Sequence, residues 1–275
     1  NFEIHVISLK NQTHRRKKIE AILEGQCLKW SFFDAIAGED ISNYLGMYNR
    51  EKRLRNLGYD LRINEIACFI SHRTLWEECA RKGIPFLILE DDIKIKYYVG
   101  DFAQAAQIVH LIIEKIKAEY LFVRLGNLFD RKFQILQKIS DDFNIVRYQR
   151  DPSTAMGYII SPQVAEILAA QSEKFFCAVD NYMWRGWDHG CCLLDVSPAV
   201  FFTSDADTPS SIGDRSKPAI GFLKKIKREY FRALDAAQRS RYEKKIIKEL
   251  LNYESKLFNR SEEHTSELQS LNLIS

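Results

Sequence analysis

Cysteine is scarce and scattered in this chain. The six stand at 27, 68, 79, 177, 191 and 192, and no Cys-x-x-Cys pair occurs among them. That spacing argues against a zinc ribbon or a thioredoxin-type redox site. In a reducing cytosol such thiols are expected to be buried as small apolar side chains. Glycine and proline are also few, 12 and 6 in 275 residues, which excludes collagenous and low-complexity classes. No run of about 18 apolar residues occurs, as a spanning helix would need, and no secretory leader is visible. Asn1 stands where a start methionine would, as expected of a processed or trimmed N-terminus. No internal repeat is visible. Net charge is only +3, and no nucleic-acid partner is expected.

What is present is a globular composition, 46% hydrophobic and 28% charged, with an uneven charge distribution. Residues 222–260 carry 12 Lys/Arg against 5 Asp/Glu. A near-neutral body (1–221) is therefore expected to be followed by a basic helical extension (222–260). Residues 261–275, "SEEHTSELQSLNLIS", are polar and Ser-rich, resemble a translated sequencing adaptor, and are set aside as non-native or disordered.

Within the body, strands and helices alternate. "FEIHVISL" (2–9), "KWSFFDA" (29–35), "PFLILEDD" (85–92), "EYLFVRL" (119–125), "FNIVRY" (143–148) and "TAMGYIIS" (154–161) read as strands, with short ones at "CLLDV" and "AVFF". Helices are expected from Thr13 to about Glu24, from an Asn64 cap onward, over about 101–118, and from Pro162 to about Ala170. The stretch up to Ile63 reads as a polar connection. Such alternation predicts an α/β fold with a mostly parallel sheet.

"PFLILEDDIK" (85–94) holds the strongest functional signal. An apolar run, as in a strand covered on both faces, ends in Glu90, Asp91 and Asp92. Three adjacent carboxylates repel one another unless a cation, a substrate hydroxyl or a proton relieves them. In an open parallel sheet, ligands bind beyond the C-terminal strand ends. Hard oxygen ligands there suit magnesium or manganese bridging to a diphosphate.

Five motifs in order, "VISL…RR" (6–9, 15–16), "EIACFISHRTLW" (65–76), "FLILEDDI" (86–93), "GYIIS" (157–161) and "AVD" (178–180), resemble glycosyltransferase family 25. That family includes lipooligosaccharide β-1,4-galactosyltransferases. The resemblance covers about residues 2–215. It implies a GT-A type, Rossmann-like nucleotide-binding fold. It also implies inverting transfer from a UDP-sugar and a divalent metal on a DxD-like motif, and the hexose moved is expected to be galactose. Here that motif is Glu90-Asp91-Asp92, with Glu in place of the first Asp. By resemblance Asp92 is the metal ligand, and Glu90 or Asp91 faces ribose or sugar. Ser8, Leu9, Arg15, Arg16, Ser71 and His72 fall in donor-site motifs. For His72 the implied role is donor contact or packing rather than metal ligation.

"CAVDNYMWRGWDHG" (177–190) places carboxylates beside aromatics, which suits a sugar acceptor pocket. Tyr182, Trp184 and Trp187 are its candidate acceptor contacts; an aromatic core with surface Asp gives the same pattern. Inverting transfer needs a base for the acceptor hydroxyl. Asp180 matches the family's Val-Asp position and ranks first, although Ala178 stands where the family more often has Pro. Asp188 ranks second, and His189 is an alternative metal ligand. In the polar segment 203–216, Ser211 and Arg215 are candidate diphosphate contacts. Two competing classes remain: a sugar-nucleotide-binding module without turnover, and a magnesium-dependent phosphoryl-transfer protein. The latter needs a nucleophilic Asp and a strand-end Lys, and no such Lys stands out.

The extension adds a location. Phe222, Ile226, Tyr230 and Leu234 recur every four residues, as do Tyr242, Ile246 and Leu250. Lys and Arg crowd the remaining faces. Such helices can lie on an anionic lipid surface or pack on the body. A cytoplasmic enzyme touching the inner face of the bacterial membrane, where a lipid-linked saccharide acceptor resides, is the expectation.

Overall fold

The computed structural model describes residues 1–25, 28–128, 131–203 and 222–252. In chain order the elements are β1 (Glu3–Ser8), α1 (Thr13–Leu23), β2 (Trp30–Asp34), a 3-10 helix (Gly38–Met47), α2 (Arg50–Leu57), α3 (Ile63–Lys82), β3 (Phe86–Glu90), β4 (Ile93–Ile95) and α4 (Phe102–Lys115). There follow β5 (Phe122–Arg124), β6 (Phe133–Lys138), β7 (Asn144–Tyr148), β8 (Gly157–Ile160), α5 (Pro162–Gln171), α6 (Val179–Trp184), α7 (Gly186–His189), β9 (Leu194–Ser197), β10 (Phe201–Thr203) and α8 (Phe222–Asn252).

Eight strands form one sheet in the order β2-β1-β3-β8-β5-β9-β7-β6, and β4 pairs with β10 beside it. The pairings run six of the eight strands one way; β8 and β7 are reversed. The protein is thus α/β with a largely parallel, Rossmann-like sheet flanked by helices.

Period-two alternation explains the two cores. Leu87 and Leu89 of β3 join Ile4 and Val6 of β1 under α1 and α4, against Ile19, Leu23, Phe102, Val109 and Ile112. Phe86 and Ile88 turn to the opposite face, where α3 and α5 bring Phe69, Ile70, Trp76 and Leu168. With both faces covered, β3 has no solvent side, which is why its sequence is a continuous apolar run. Each fully buried aliphatic there contributes about 1.5–3 kcal/mol. Gly157 opens β8 where a Cβ would lie 3.0 Å from the Phe201 ring and 3.2 Å from Leu89, so the close approach of β8 to β3 needs glycine.

Local chemistry departs from expectation at several points. α3 starts at Ile63, not after an Asn64 cap: the Glu65 carboxylate reaches back to accept the Arg62 backbone N–H at 2.8 Å. The expected polar connection before Ile63 contains the 3-10 helix and α2. Asn49 caps α2 by accepting the Lys52 N–H at 2.9 Å, and Gly58 ends it in a left-handed conformation. β6 is a half-exposed edge strand absent from the sequence reading.

In α8 the two apolar stripes behave differently. Tyr242 Oη donates to the Cys191 carbonyl at 3.1 Å, Ile246 packs on the α1/α4 core, and Glu243 pairs with Arg147 at 2.7 Å. Ile226, Tyr230 and Leu234 remain 54%, 61% and 44% exposed. The side chains at 222 and 250 lie outside the described residues. Among the described residues no helix is long and apolar enough to cross a membrane.

Candidate active site

The chain leaves β1 through α1 to β2 on one side, then crosses through α3 to β3 on the other. The C-terminal ends of β1 and β3 therefore flank a topological switch point, where open α/β sheets bind ligands. Ser8 ends β1 and Glu90 ends β3.

Around them one carboxylate is fully organised and one is not. Asp91 accepts from Ser8 Oγ at 2.6 Å and from Arg15 Nη1 at 2.8 Å, so each of its oxygens has a partner. Arg15 lies 4.0 Å from Asp92 Oδ2, but Asp92 Oδ1 is buried without a hydrogen-bond partner. Burial, then the charge of Glu90, pushes the Asp92 carboxyl up to about 7. A buried carboxylate oxygen with no donor is what a divalent cation satisfies, and the oxygen set suits magnesium or manganese. Asp92 and Glu90 fit that role; Asp91 is already committed. Arg16 points the other way, donating to the Ser8 carbonyl at 2.8 Å and to Asp34 at 2.5 Å, with its guanidinium 4.8 Å above Phe32. Leu9 accepts the Gln12 N–H at 3.0 Å and shapes the turn into α1.

α3 supplies the adjoining wall. Ser71 Oγ donates to the Ala67 carbonyl and accepts the Ile36 N–H, both at 2.9 Å, tying the segment after β2 to the helix. His72 is fully buried. Its Nδ1 lies 2.9 Å from Tyr158 Oη, which also accepts from Trp76 Nε1 at 2.8 Å. Its Nε2 faces Glu90 Oε1 at 3.6 Å and makes no hydrogen bond. One turn earlier stands Cys68; burial, then the charges of Glu90, Asp180, Glu65 and Asp92, push its thiol well above the ordinary range.

Asp180 lies in the first turn of α6, half-buried, and accepts the Asn181 N–H at 2.7 Å. Burial raises its carboxyl to about 6; Asp151 and Glu90 add to the rise, and Arg124 opposes it. It therefore shares an electrostatic environment with the β3 carboxylates. Arg124 was not singled out by sequence. It ends β5 fully buried, donating Nε to Asp195 at 2.7 Å and Nη1 to Asp151 at 3.0 Å and to the Thr154 carbonyl at 3.1 Å. The overlooked signal was the one read at Glu90: a charge inside an apolar strand, in "LFVRL" and again in "LLDV".

The remaining candidates go elsewhere. Tyr182 is a core residue, stacked on Trp76 with its hydroxyl on the Leu168 carbonyl. Trp184 is buried under the Arg147 guanidinium, 3.9 Å from its ring. Trp187 Nε1 donates to Asp235 of α8 at 3.3 Å. Asp188 is exposed and held by Arg185 at 2.6 Å, while Arg185 also forks onto Asp235. Asp188 and Trp187 thus serve the docking of α8. His189 uses both ring nitrogens, on the Tyr182 carbonyl and the Cys191 N–H, each at 3.1 Å. Burial lowers it to about 4, so it is a neutral packing residue with no lone pair for a metal. Ser211 and Arg215 lie outside the described residues.

The sequence profile of glycosyltransferase family 25, described as an LPS biosynthesis protein family, matches residues 1–183. The chain belongs to glycosyltransferase family 25. Among its relatives is the lipooligosaccharide biosynthesis protein lic2B of Haemophilus influenzae. It is 25% identical over 207 residues, covering 71% of this chain and 74% of the relative. The lacto-N-neotetraose biosynthesis glycosyltransferase LgtE of Neisseria meningitidis serogroup B is 30% identical, covering 71% and 72%. A glycosyltransferase 25 family member of Drosophila melanogaster is 30% identical, covering 66% of this chain and 30% of its own length. The matched segment of this glycosyltransferase contains Ser8, Arg15, His72, Glu90 to Asp92, Arg124 and Asp180. It ends before Asp188 and His189.

Proposed function

We propose that this glycosyltransferase moves a hexose, galactose first among the candidates, from a UDP-sugar to a lipopolysaccharide or lipooligosaccharide saccharide, with inversion. One observation carries the reading. The Asp180 carboxyl, raised to about 6 by burial and then by Asp151 and Glu90, feels the charge of the residue that ends β3, two positions before the Asp92 that carries an unsatisfied oxygen. A carboxylate near 6 is ionised at neutral pH yet still basic enough to take a proton in a transition state. Asp180 takes the acceptor hydroxyl proton as that oxygen attacks the anomeric carbon. The bond to the UDP oxygen breaks on the opposite face, so no covalent enzyme intermediate forms. Arg15, fixed by Asp91, holds positive charge beside the donor site. Asp92 and Glu90 would hold a divalent cation in a GT-A type site, and that cation would supply charge neutralisation for a departing diphosphate.

Names of the relatives support the lipooligosaccharide acceptor, and α8 supports a location for it. Its exposed Ile226, Tyr230 and Leu234 lie among Lys225, Lys227, Arg228 and Arg232. That face suits an anionic lipid surface, each basic residue contributing on the order of 1 kcal/mol. Salt-sensitive co-sedimentation with anionic vesicles tests it. Against a phosphoryl-transfer role, the cation ending β5 is Arg124, already committed to two aspartates.

The test of function is a panel of UDP-sugars with manganese or magnesium and a lipooligosaccharide acceptor. The readouts are UDP release and the anomeric configuration of the product. Inverted hexoside from one UDP-hexose is expected. Donor binding without turnover across the panel would support a binding module instead, and a retained configuration would remove Asp180 from the role of base.

A further inference from the structure

We propose that Cys68, His72 and Glu90 form a second cation site, of the kind that takes zinc or cobalt(II), where α3 meets the end of β3. Cys68 and His72 are four residues apart and share one face of α3. The thiol sulfur, one imidazole nitrogen and one carboxylate oxygen all lie within 4.8 Å of one another. A tetrahedral zinc with ordinary bond lengths sets its ligands about 3.3–3.6 Å apart, and His72 Nε2 to Glu90 Oε1 is already 3.6 Å. Small side-chain rotations close the rest.

A second observation points to a ligand independently of the cluster. His72 Nε2 is wholly buried, aimed at Glu90, and without a hydrogen bond. An orphan nitrogen in that setting is costly unless something fills the gap. The other ring nitrogen is held as a metal-bound histidine's should be. Tyr158 Oη takes the Trp76 N–H and lies 2.9 Å from His72 Nδ1, so its hydroxyl donates to Nδ1 in the cation-free protein and can accept a proton from Nδ1 when a cation takes Nε2. With the proton on Nδ1 the Nε2 lone pair is available to a cation seated between it and the carboxylate, and such outer partners orient and strengthen a histidine ligand.

The donor set decides the metal. Thiolate and imidazole favour zinc or cobalt over magnesium, and three protein ligands leave a fourth position open. On binding, the Cys68 S–H bond breaks, the sulfur–metal bond forms and the proton passes to solvent. This assignment gives Cys68 and His72 a role that their sequence context did not: small apolar filler for the one, packing or donor contact for the other. It also separates two cation chemistries around one residue, since Glu90 borders both the oxygen-only site and this one.

The test uses the full-length protein, stripped with a chelator and titrated with cobalt(II). A thiolate-to-cobalt charge-transfer band that zinc abolishes is expected. Cys68→Ser and, as a second variant, Cys68→Ala should lose the band, and Asp92→Asn should keep it. Circular dichroism checks that each variant is folded. Absence of the band in the unsubstituted protein, or its persistence in folded Cys68→Ser or Cys68→Ala, overturns the assignment. Turnover is not the readout, so failure here leaves the transferase reading untouched, and failure of that reading leaves this one.

Discussion

The two ends of one sheet treat their carboxylates in opposite ways. At the N-terminal end, Glu3 of β1 is buried but accepts from Lys29 Nζ at 2.6 Å and Lys82 Nζ at 2.9 Å. Its hydrogen bonds to Lys29 and then Lys82 hold it down at about 2. At the C-terminal end of the same layer, Arg15 satisfies Asp91 and little is left for the rest. Asp92 rises to about 7 and Asp180 to about 6, burial being the leading cause for both. Burial alone does not decide the outcome; the number of cations brought to each end does. One end satisfies its carboxylate from within the chain, and the other leaves two carboxyls raised by burial, the kind of perturbation that clusters at functional sites.

Removing the most frustrated carboxylate should break this contrast most strongly. Asp92→Asn is expected to lower kcat/KM by more than about 100-fold, beyond what losing a merely supporting residue does. Its fold should persist, and unchanged metal-dependent turnover would take Asp92 out of the site.

The pH profile sharpens the contrast next. The base must be ionised, so kcat should fall about tenfold per pH unit below about 6 as Asp180 binds its proton. Stability should run the other way over that range. Carboxyls with raised folded values bind protons more tightly folded than unfolded. Wild-type stability therefore rises as pH drops from about 7 toward about 4. Glu3 has the opposite sign: its contribution is complete above its unfolded value of 4.5 and is lost as pH falls toward about 2. Urea unfolding across pH 2–8 should thus show a maximum in mild acid, and a stability curve flat through pH 4–7 would contradict the raised values.

Glu3→Gln acts on the other end alone. It should cost about 1–2 kcal/mol at pH 7 and leave turnover per folded molecule unchanged. A loss of activity beyond the loss of folded protein would show that the two ends are coupled. The smallest effect is expected on α8. Ile226→Ser, on the exposed stripe, should shift stability by less than about 0.5 kcal/mol, and a larger loss would mean that this stripe packs on the body as Ile246 does.

The sequence carried the fold where burial imposes a period. β1, β3 and α5 were legible because apolar runs and Pro162 mark them. α2 was missed because "REKRLRNL" has no apolar stripe; only Arg53 in it is buried, although its Asn49 and Gly58 caps were readable. β6 was missed because an edge strand alternates only weakly. Within the site, the β3 carboxylates stood out because charge ends an apolar run. The aromatic segment 177–190 misled because rings beside carboxylates look alike whether they face a pocket, the core or another helix. What separates Trp187 and Asp188 from a pocket is Asp235, about 50 residues further along the chain.

The most direct test is calorimetry and turnover on Asp180→Asn beside Asp188→Asn. Asp180→Asn should lose about 10²–10⁴-fold in kcat while keeping UDP affinity within about twofold. It should be no less stable than wild type at pH 7, because it removes a carboxylate whose charged form burial disfavours. Asp188→Asn should leave turnover intact. Full turnover in Asp180→Asn, or the loss pattern appearing in Asp188→Asn instead, would contradict the assignment of the transferase chemistry to this end of the sheet.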